Sequence, residues 1–385
     1  MSINIKNTMN YKTLKTGEKV SILGFGCMRL PLLDAKDATS IDYEKAQIMI
    51  DKAYAEGINY YDTAYPYHNG KSEVFIGEAL KKYPRDSYYL ANKMPSWKVT
   101  NLKEAEEVFN EQLERCQTEY FDFYLCHALN KKRFEEYENF LLDFLINKQK
   151  EGKIKRLGFS YHDSPENLVH IANYHAWDFV QLQINYLDWE YQRASVQYDI
   201  ITKLDIPIMV MEPIRGGSLA VLSQAAEDIL RELDSTKTIA SWALKYVFDL
   251  ENVVVTLSGM TELEHVDDNI NTAKEFKGLA TNEREAIEKA LLEYRKALTI
   301  PCTSCRYCIV ECPKGLDIAR NFEIFNQYTL TVDVLRNYLF TKDRYQKLNN
   351  GIAAACIDCK KCIKQCPQAI DIPEELKRVA RTFRD

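Results

Sequence analysis

Between residues 20 and 273 the chain alternates short, apolar, β-branched runs with longer stretches whose apolar positions recur at helical spacing. Eight runs read as strands: 22–26, 59–63, 88–93, 121–127, 154–160, 179–185, 207–212 and 253–258. Between them, 43–57 and 102–118 read as amphipathic helices; in the second, Phe109, Leu113 and Cys116 fall on one face. Eight strand–helix units of about thirty residues each predict a (β/α)8 barrel. A hairpin, 11–14 and 19–22 around Thr16-Gly17, is expected to plug the barrel's bottom, and a last helix, 282–298, to pack outside it. A doubly wound sheet is the alternative. Its dinucleotide fingerprint is missing, because Gly24-Phe25-Gly26 runs on into Cys27, Met28 and Arg29.

At 385 residues the chain is long enough for one large domain and one small one. The expected division is 1–298 for the barrel and 299–385 for the second domain, with no Gly/Ser linker between them. The net charge of −6 is uneven: residues 299–385 carry 14 Lys/Arg against 10 Asp/Glu, which leaves the barrel near −10. The first fifteen residues are polar and lack an apolar signal core, and no stretch is long and apolar enough to span a bilayer. The expectation is a cytoplasmic protein that binds neither membrane nor nucleic acid.

The chemistry of the second domain lies in its cysteines. Eight of the eleven fall in two runs, Cys302, Cys305, Cys308, Cys312 with Pro313, and Cys356, Cys359, Cys362, Cys366 with Pro367. Each reads C-x2-C-x2-C-x3-C-P, the spacing of a bacterial-type ferredoxin, in which the fourth cysteine of one run ligates the other run's cluster. The expected ligand sets are therefore Cys302, Cys305, Cys308 and Cys366 for one [4Fe–4S] cluster, and Cys356, Cys359, Cys362 and Cys312 for the other. Zinc ribbons use paired C-x2-C knuckles, and disulfides need an oxidising compartment. Each oxidised cluster with its four thiolates carries about −2, so the basic tail neutralises clusters rather than binding nucleic acid. The 43 residues between Cys312 and Cys356 include Phe322, Ile324, Phe325, Val332, Leu335, Tyr338 and Leu339, which fit two helices. Cys27, Cys116 and Cys126 read as small buried hydrophobes.

In a (β/α)8 barrel the chemistry sits at the C-terminal ends of the strands. There the sequence places Asp62 at the end of the second strand, Tyr67 and His68 in the loop that follows, Lys93 at the end of the third strand and His127 at the end of the fourth. A Lys beside a Tyr favours the phenolate and lowers its pKa from about 10. An Asp beside the Lys holds the ammonium in place, and a His can donate to a substrate oxygen. Singly, each has a plain structural reading: a loop cap, a solvated amine, a core histidine. Their positions on successive strand ends are what point to catalysis.

At these positions the chain resembles the aldo-keto reductase family. The resemblance rests on Asp62-Thr-Ala-x-x-Tyr67-x-x-Gly70-x-x-Glu73 with Gly77 following, on Asn92-Lys93, on Tyr124-Leu-Cys-His127, on Leu157-Gly-Phe-Ser160 and on Gln181-Leu-Gln-Ile-Asn185. It covers about residues 10–298, and the whole chain is similar to a subfamily in which a two-cluster ferredoxin domain follows the barrel. It implies an NAD(P)-dependent oxidoreductase acting on aldehydes or ketones. Tyr67 would be the general acid, Lys93 and Asp62 its tuners, and His127 the orienter of the carbonyl. Ser160 and Gln181 would bind the nicotinamide carboxamide, Met211 would lie on the ring, and Asn269 would face the adenine. Backbone in Gly216-Gly217 and in Ser258-Gly259-Met260, ahead of a helix starting near Thr261, would take the phosphates. Tyr161 stands where the family has Asn. Leu257 and His265 stand where NADP-selective members carry cations, leaving Arg215 as a substitute and NADH and NADPH both open.

A nicotinamide moves two electrons and a [4Fe–4S] cluster moves one, so a flavin normally couples them; no flavin signature is present. Two readings follow. One is a carbonyl reductase for a small substrate, with accessory clusters. The other is an electron-transfer or redox-sensing subunit that binds nicotinamide, turns over little carbonyl and works with a redox partner protein.

Overall fold

The structure is a computed structural model that describes residues 8–34, 37–297, 300–303, 305–329, 341–342, 344–348 and 351–383. Two short strands, β1 (Tyr11–Thr13) and β2 (Lys19–Ser21), form an antiparallel hairpin. Eight parallel strands follow: β3 (Leu23–Gly26), β4 (Tyr60–Asp62), β5 (Tyr89–Met94), β6 (Phe121–Leu129), β7 (Ile154–Tyr161), β8 (Phe179–Gln183), β9 (Ile208–Met211) and β10 (Val253–Gly259). Each pairs with the next, and β10 pairs with β3, so the sheet closes into a barrel. This is the predicted (β/α)8 architecture, and a small, mainly helical cysteine-rich region follows it.

The barrel is filled by alternate residues of its strands, because side chains along a strand point to opposite faces. Tyr60, Ala91, Phe123, Leu125, Phe179, Met209, Val255 and Leu257 meet in one buried cluster, and Leu14 and Val20 of the β1–β2 hairpin close it. Strand β7 lies against β8 so tightly at Gly158 that a Cβ there would stand 2.4 Å from the Phe179 carbonyl oxygen. Only glycine fits.

The outer helices include α1 (Tyr43–Ala55), α2 (Lys71–Leu80), α3 (Leu102–Arg115), α4 (Lys131–Glu136) and α5 (Leu142–Lys150). α4 and α5 are one continuous rod, interrupted by a wide π turn at Tyr137–Leu141. Contacts divide the chain into two units, Met1–Pro213 with Leu244–Leu279, and Ile214–Ala243 with Ala280–Asp385. All barrel strands belong to the first. In the second, helices Gln224–Leu233 and Thr281–Ala297 pack on each other, and a core of Leu316, Ile318, Phe322, Phe325, Ile372, Leu376 and Phe383 supports the cysteine loops. Of the two helices expected between the cysteine runs, one is Ile318–Thr329; Val332, Leu335, Tyr338 and Leu339 lie outside the described residues. Among the described residues no helix is long and apolar enough to cross a membrane.

Candidate active site

Asp62, Lys93 and His127 come from three neighbouring strands at the same end of the barrel. All three are buried. Lys93 Nζ donates to Asp62 Oδ1 at 2.5 Å and to the Thr63 carbonyl at 2.8 Å, and lies 5.0 Å from the centre of the Tyr67 ring. The Tyr67 ring stands edge-on to His127, with 6.4 Å between centroids. The four residues expected to converge therefore share one mouth.

Tyr67 reaches the mouth through an unusual turn. His68, Asn69 and Gly70 all adopt left-handed backbone conformations, with φ of 50°, 52° and 87°. Non-glycine residues hold such geometry only when their surroundings enforce it. His68 supplies the restraint: its Nδ1 donates to the Ala38 carbonyl at 2.9 Å, and its Nε2 accepts from the Leu30 amide at 3.3 Å. Burial holds the His68 pKa below the usual histidine value, which keeps the neutral form this pairing needs.

Burial also lowers the Lys93 pKa, and the charge of Asp62 opposes that shift. His127 is held well below the usual histidine value, first by burial and then by the positive charges of Lys93 and Arg133 and by His162. A neutral ring has one N–H to donate and one nitrogen to accept. His127 Nδ1 is enclosed and has no hydrogen-bond partner, and the backbone amide of His127 is held by Tyr137 Oη at 3.0 Å.

The residues expected around a nicotinamide are near this mouth. Gln181 Nε2 donates to Asp62 Oδ2 at 3.2 Å, and Ser160 Oγ accepts from the Ala128 amide at 2.7 Å. Met211 ends β9, in register with Gln183. Tyr161 turns away, packing on Phe159 and donating its hydroxyl to the Ser164 carbonyl at 2.6 Å. Ser258 points outward from β10, where Asn269 Nδ2 donates to its Oγ at 2.9 Å. Gly259 is followed by buried Met260, and helix Leu263–Glu275 begins just beyond.

Two positions read from the sequence as facing a ribose phosphate do other work. Leu257 points into the barrel, so close to β3 that a Cβ on Gly24 would lie 2.8 Å from its Cδ2. His265 caps its helix, its Nδ1 accepting from the Thr261 and Glu262 amides at 3.4 and 3.3 Å. In the second unit, Gly216 and Gly217 have φ of 64° and 94°. Arg215, the substitute cation, is fully buried and donates to the Pro301 carbonyl at 2.8 Å.

Some residues of the site escape a sequence reading. Glu73 is fully buried beside the strand that carries Asn92 and Lys93. Its carboxylate accepts from Asn92 Nδ2, Gln112 Nε2 and Arg115 Nη1, each at 2.9 Å, so every partner of this buried charge is accounted for. The only signal for it was its place in the Asp62–Glu73 motif. Trp97, with its ring 5.1 Å from that of His127, and Arg133, 4.7 Å from the Trp97 centre, had no signal at all.

The cysteine loops repeat one local design. Arg306 and Lys360, each following the second cysteine of its run, have φ of 67° and 61°. Gly315 and Ala369, each three residues after the fourth, have φ of 61° and 50°, and donate back to the carbonyls of Cys312 and Cys366 at 3.0 and 3.1 Å. Burial raises the Cys308 pKa, and Cys305, Cys302 and Cys366 add to that; Cys362 is pushed up to about 11 by burial, with Cys356, Cys359 and Cys312 adding. The neighbours of each central cysteine thus include the fourth cysteine of the opposite run. Cys312, Cys356, Cys359 and Cys362 also line one cavity, walled by Pro313, Leu316 and Ile318. Four thiols around an apolar cavity fit an iron–sulfur cluster, whose positive irons would offset the mutual repulsion of the thiolates. Among the described residues no three such ligands converge on a single ion; a cubane spreads its thiolates over four irons.

Residues 22–291 match the model of the aldo/keto reductase family, and residues 301–372 match that of a 4Fe-4S dicluster domain. L-galactose dehydrogenase of Arabidopsis thaliana is 26% identical over 74% of this chain and 95% of its own. Among solved structures, the holo form of aldo-keto reductase AKR11C1 from Bacillus halodurans is similar with a TM-score of 0.60 and 25% identity, over 73% of this chain and 96% of that one. An aldo-keto reductase from Klebsiella pneumoniae in complex with NADPH shares the fold at a TM-score of 0.59 and 21% identity, over 73% and 95%.

Proposed function

This chain belongs to the aldo/keto reductase family, and from that premise we propose that it reduces an aldehyde or ketone with NADPH or NADH, using Tyr67 as the proton donor. The observation that carries the reading is the position of Lys93 Nζ, 2.5 Å from Asp62 Oδ1 and 5.0 Å from the centre of the Tyr67 ring.

A bound reduced nicotinamide supplies the hydride. Tyr67 gives a proton to the carbonyl oxygen as charge develops there. Lys93, fixed by Asp62 and the Thr63 carbonyl, stabilises the phenolate that remains. Neutral His127 donates a hydrogen bond to the same oxygen and orients it. Ser160, Gln181 and Met211 are the proposed nicotinamide contacts. Gly216, Gly217, Ser258, Gly259 and Met260 are the proposed phosphate contacts, and Asn269 the proposed adenine contact.

The eight run cysteines are proposed to hold two [4Fe–4S] clusters in the crossed sets, which supply one-electron transfer when present. With the clusters goes a proposed cytoplasmic setting, since thiolate ligands need a reducing compartment. The paired loops also favour a second reading, in which the barrel binds nicotinamide and the clusters pass electrons to a redox partner.

One experiment separates the two. The anaerobically purified chain is assayed with NADPH or NADH against small aldehydes, and against a one-electron acceptor such as methyl viologen. The reductase reading expects aldehyde turnover that falls roughly a hundredfold or more in Tyr67→Phe, with cofactor affinity little changed. Full turnover by that variant would sink the reading, and electron transfer without aldehyde turnover would favour the second.

A further inference from the structure

Arg133 is a cation beside His127 with no carboxylate of its own. It is half-buried. Nη1 donates to the Ala128 carbonyl at 3.0 Å, and the guanidinium lies 4.7 Å from the centre of the Trp97 ring. Among the described residues no Asp or Glu forms an ion pair with it. Trp97 is in turn 5.1 Å from His127, and the Arg133 charge is felt by both His127 and His162. A guanidinium carries five donors in a planar fork, and the Ala128 carbonyl takes only one side of it.

The placement works against helix stability. Lys131, Lys132 and Arg133 fill the first turn of α4, where the helix dipole favours acidic side chains. The turn is nonetheless tightly built. Asn130 Oδ1 accepts from the Arg133 amide at 2.9 Å. The π turn that follows brings Tyr137 Oη to the His127 amide at 3.0 Å and to the Met94 carbonyl at 2.5 Å. Such turns recur at functional sites. The cation is thus held in a fixed relation to the strand that carries His127.

We propose that Arg133 is the specificity residue of this mouth, and that the substrate is an aldehyde or ketone that also bears a carboxylate. The carboxylate pairs with the guanidinium fork, as stacked arginines pair planar anions, while the carbonyl faces Tyr67 and His127. The carbonyl carbon gains a hydride from the reduced nicotinamide, its oxygen gains the Tyr67 proton, the C=O π bond is lost, and the carboxylate is unchanged. The inference rests on the carbonyl reductase reading.

The test uses the full chain, purified anaerobically, with chain-matched substrates: 4-oxobutanoate against methyl 4-oxobutanoate, and glyoxylate against methyl glyoxylate. In at least one pair the acid should be preferred by roughly thirtyfold in kcat/KM, within the range of one charge-assisted hydrogen bond. Arg133→Gln should erase that preference by raising KM for the acid, and Arg133→Lys should keep part of it. No preference in either pair, or an Arg133→Gln variant that lowers acid and ester alike, overturns the assignment. If the wild type turns over none of the four, the reductase reading fails. The Arg133 assignment is then judged by calorimetric titration with butanoate and butanamide. Butanoate binding lost in Arg133→Gln supports it; wild type that ignores butanoate overturns it.

Discussion

Lys93 and Asp62 form an ion pair whose side chains are 1% and 4% exposed, with Nζ 2.5 Å from Oδ1. Taking two charges out of water at this depth is costly, and the pair alone is a poor source of stability. Its value lies in fixing an ammonium next to Tyr67.

Breaking that pair gives the first prediction. Lys93→Met leaves Asp62 buried with the Gln181 amide as its remaining side-chain partner. Unfolding in urea should show a loss of about 3–5 kcal/mol, and carbonyl turnover should fall at least as far as in Tyr67→Phe. Adding Asp62→Asn removes the stranded charge, so the double variant should regain stability but no turnover. Wild-type activity in Lys93→Met would refute the assigned role.

A second prediction concerns acid. Burial, then Arg133, lowers the His162 pKa to about 4, against about 6.5 in an unfolded chain. Between those values the unfolded state binds a proton that the folded state refuses. This stabilising contribution is therefore complete above about pH 6.5 and is lost as pH falls toward 4. Because the residue as a whole is half-buried, the loss by pH 5 should be at most about 2 kcal/mol. Comparing urea midpoints of wild type and His162→Asn from pH 7.5 to 5 isolates it, and the gap between the two should close as pH falls. Parallel curves would contradict the assignment. His127, displaced in the same direction, should show no ring titration near neutral pH by NMR.

The barrel was legible because its strands are short apolar runs at regular spacing, and Asp62, Lys93 and His127 were legible because they end three of them. What depended on tertiary packing was hidden. The fourth strand was read as ending at His127, whereas β6 continues to Leu129 across a register shift, with Ala128 at φ 53°. The Ser160 hydroxyl that takes the Ala128 amide comes from 32 residues away. Arg133 and Trp97 carry no mark in the sequence, because nothing local distinguishes a cation without a carboxylate from a solvated one. Leu257 was read one face off: along β10 the outward residue is Ser258, so a ribose-facing position inferred by alignment fell inside the barrel. The cysteine runs needed no packing argument, since their ligand spacing is local.

Crossed ligation gives the third prediction. Anaerobic protein should carry about eight iron and eight sulfide per chain. If Cys312 serves the cluster of the second run, Cys312→Ser and Cys356→Ser damage the same cluster. The double variant should then keep about four iron, no fewer than either single variant. Cys302→Ser combined with Cys312→Ser strikes both clusters and should leave almost none. The reverse pattern of iron retention, read with EPR of the reduced protein, would show uncrossed ligation.

Cofactor choice gives the last. Selectivity for NADPH needs cations at the 2′-phosphate, each charge-assisted hydrogen bond there being worth about 1.5–3 kcal/mol. None of the three positions that the sequence singled out provides one: Leu257 fills the barrel, His265 accepts backbone amides at its helix start, and Arg215 is buried on the Pro301 carbonyl. Dissociation constants for NADH and NADPH, from anaerobic fluorescence titration, should therefore lie within about tenfold, or 1.4 kcal/mol. Leu257→Lys should not shift that ratio. It would place an unpaired ammonium among Tyr60, Val255 and Met209, and should instead destabilise the barrel by roughly 3–5 kcal/mol. A hundredfold preference for NADPH in the wild type would mean that a cation elsewhere in the chain closes over the adenosine. A stable Leu257→Lys variant with improved NADPH affinity would mean that residue 257 faces the cofactor after all.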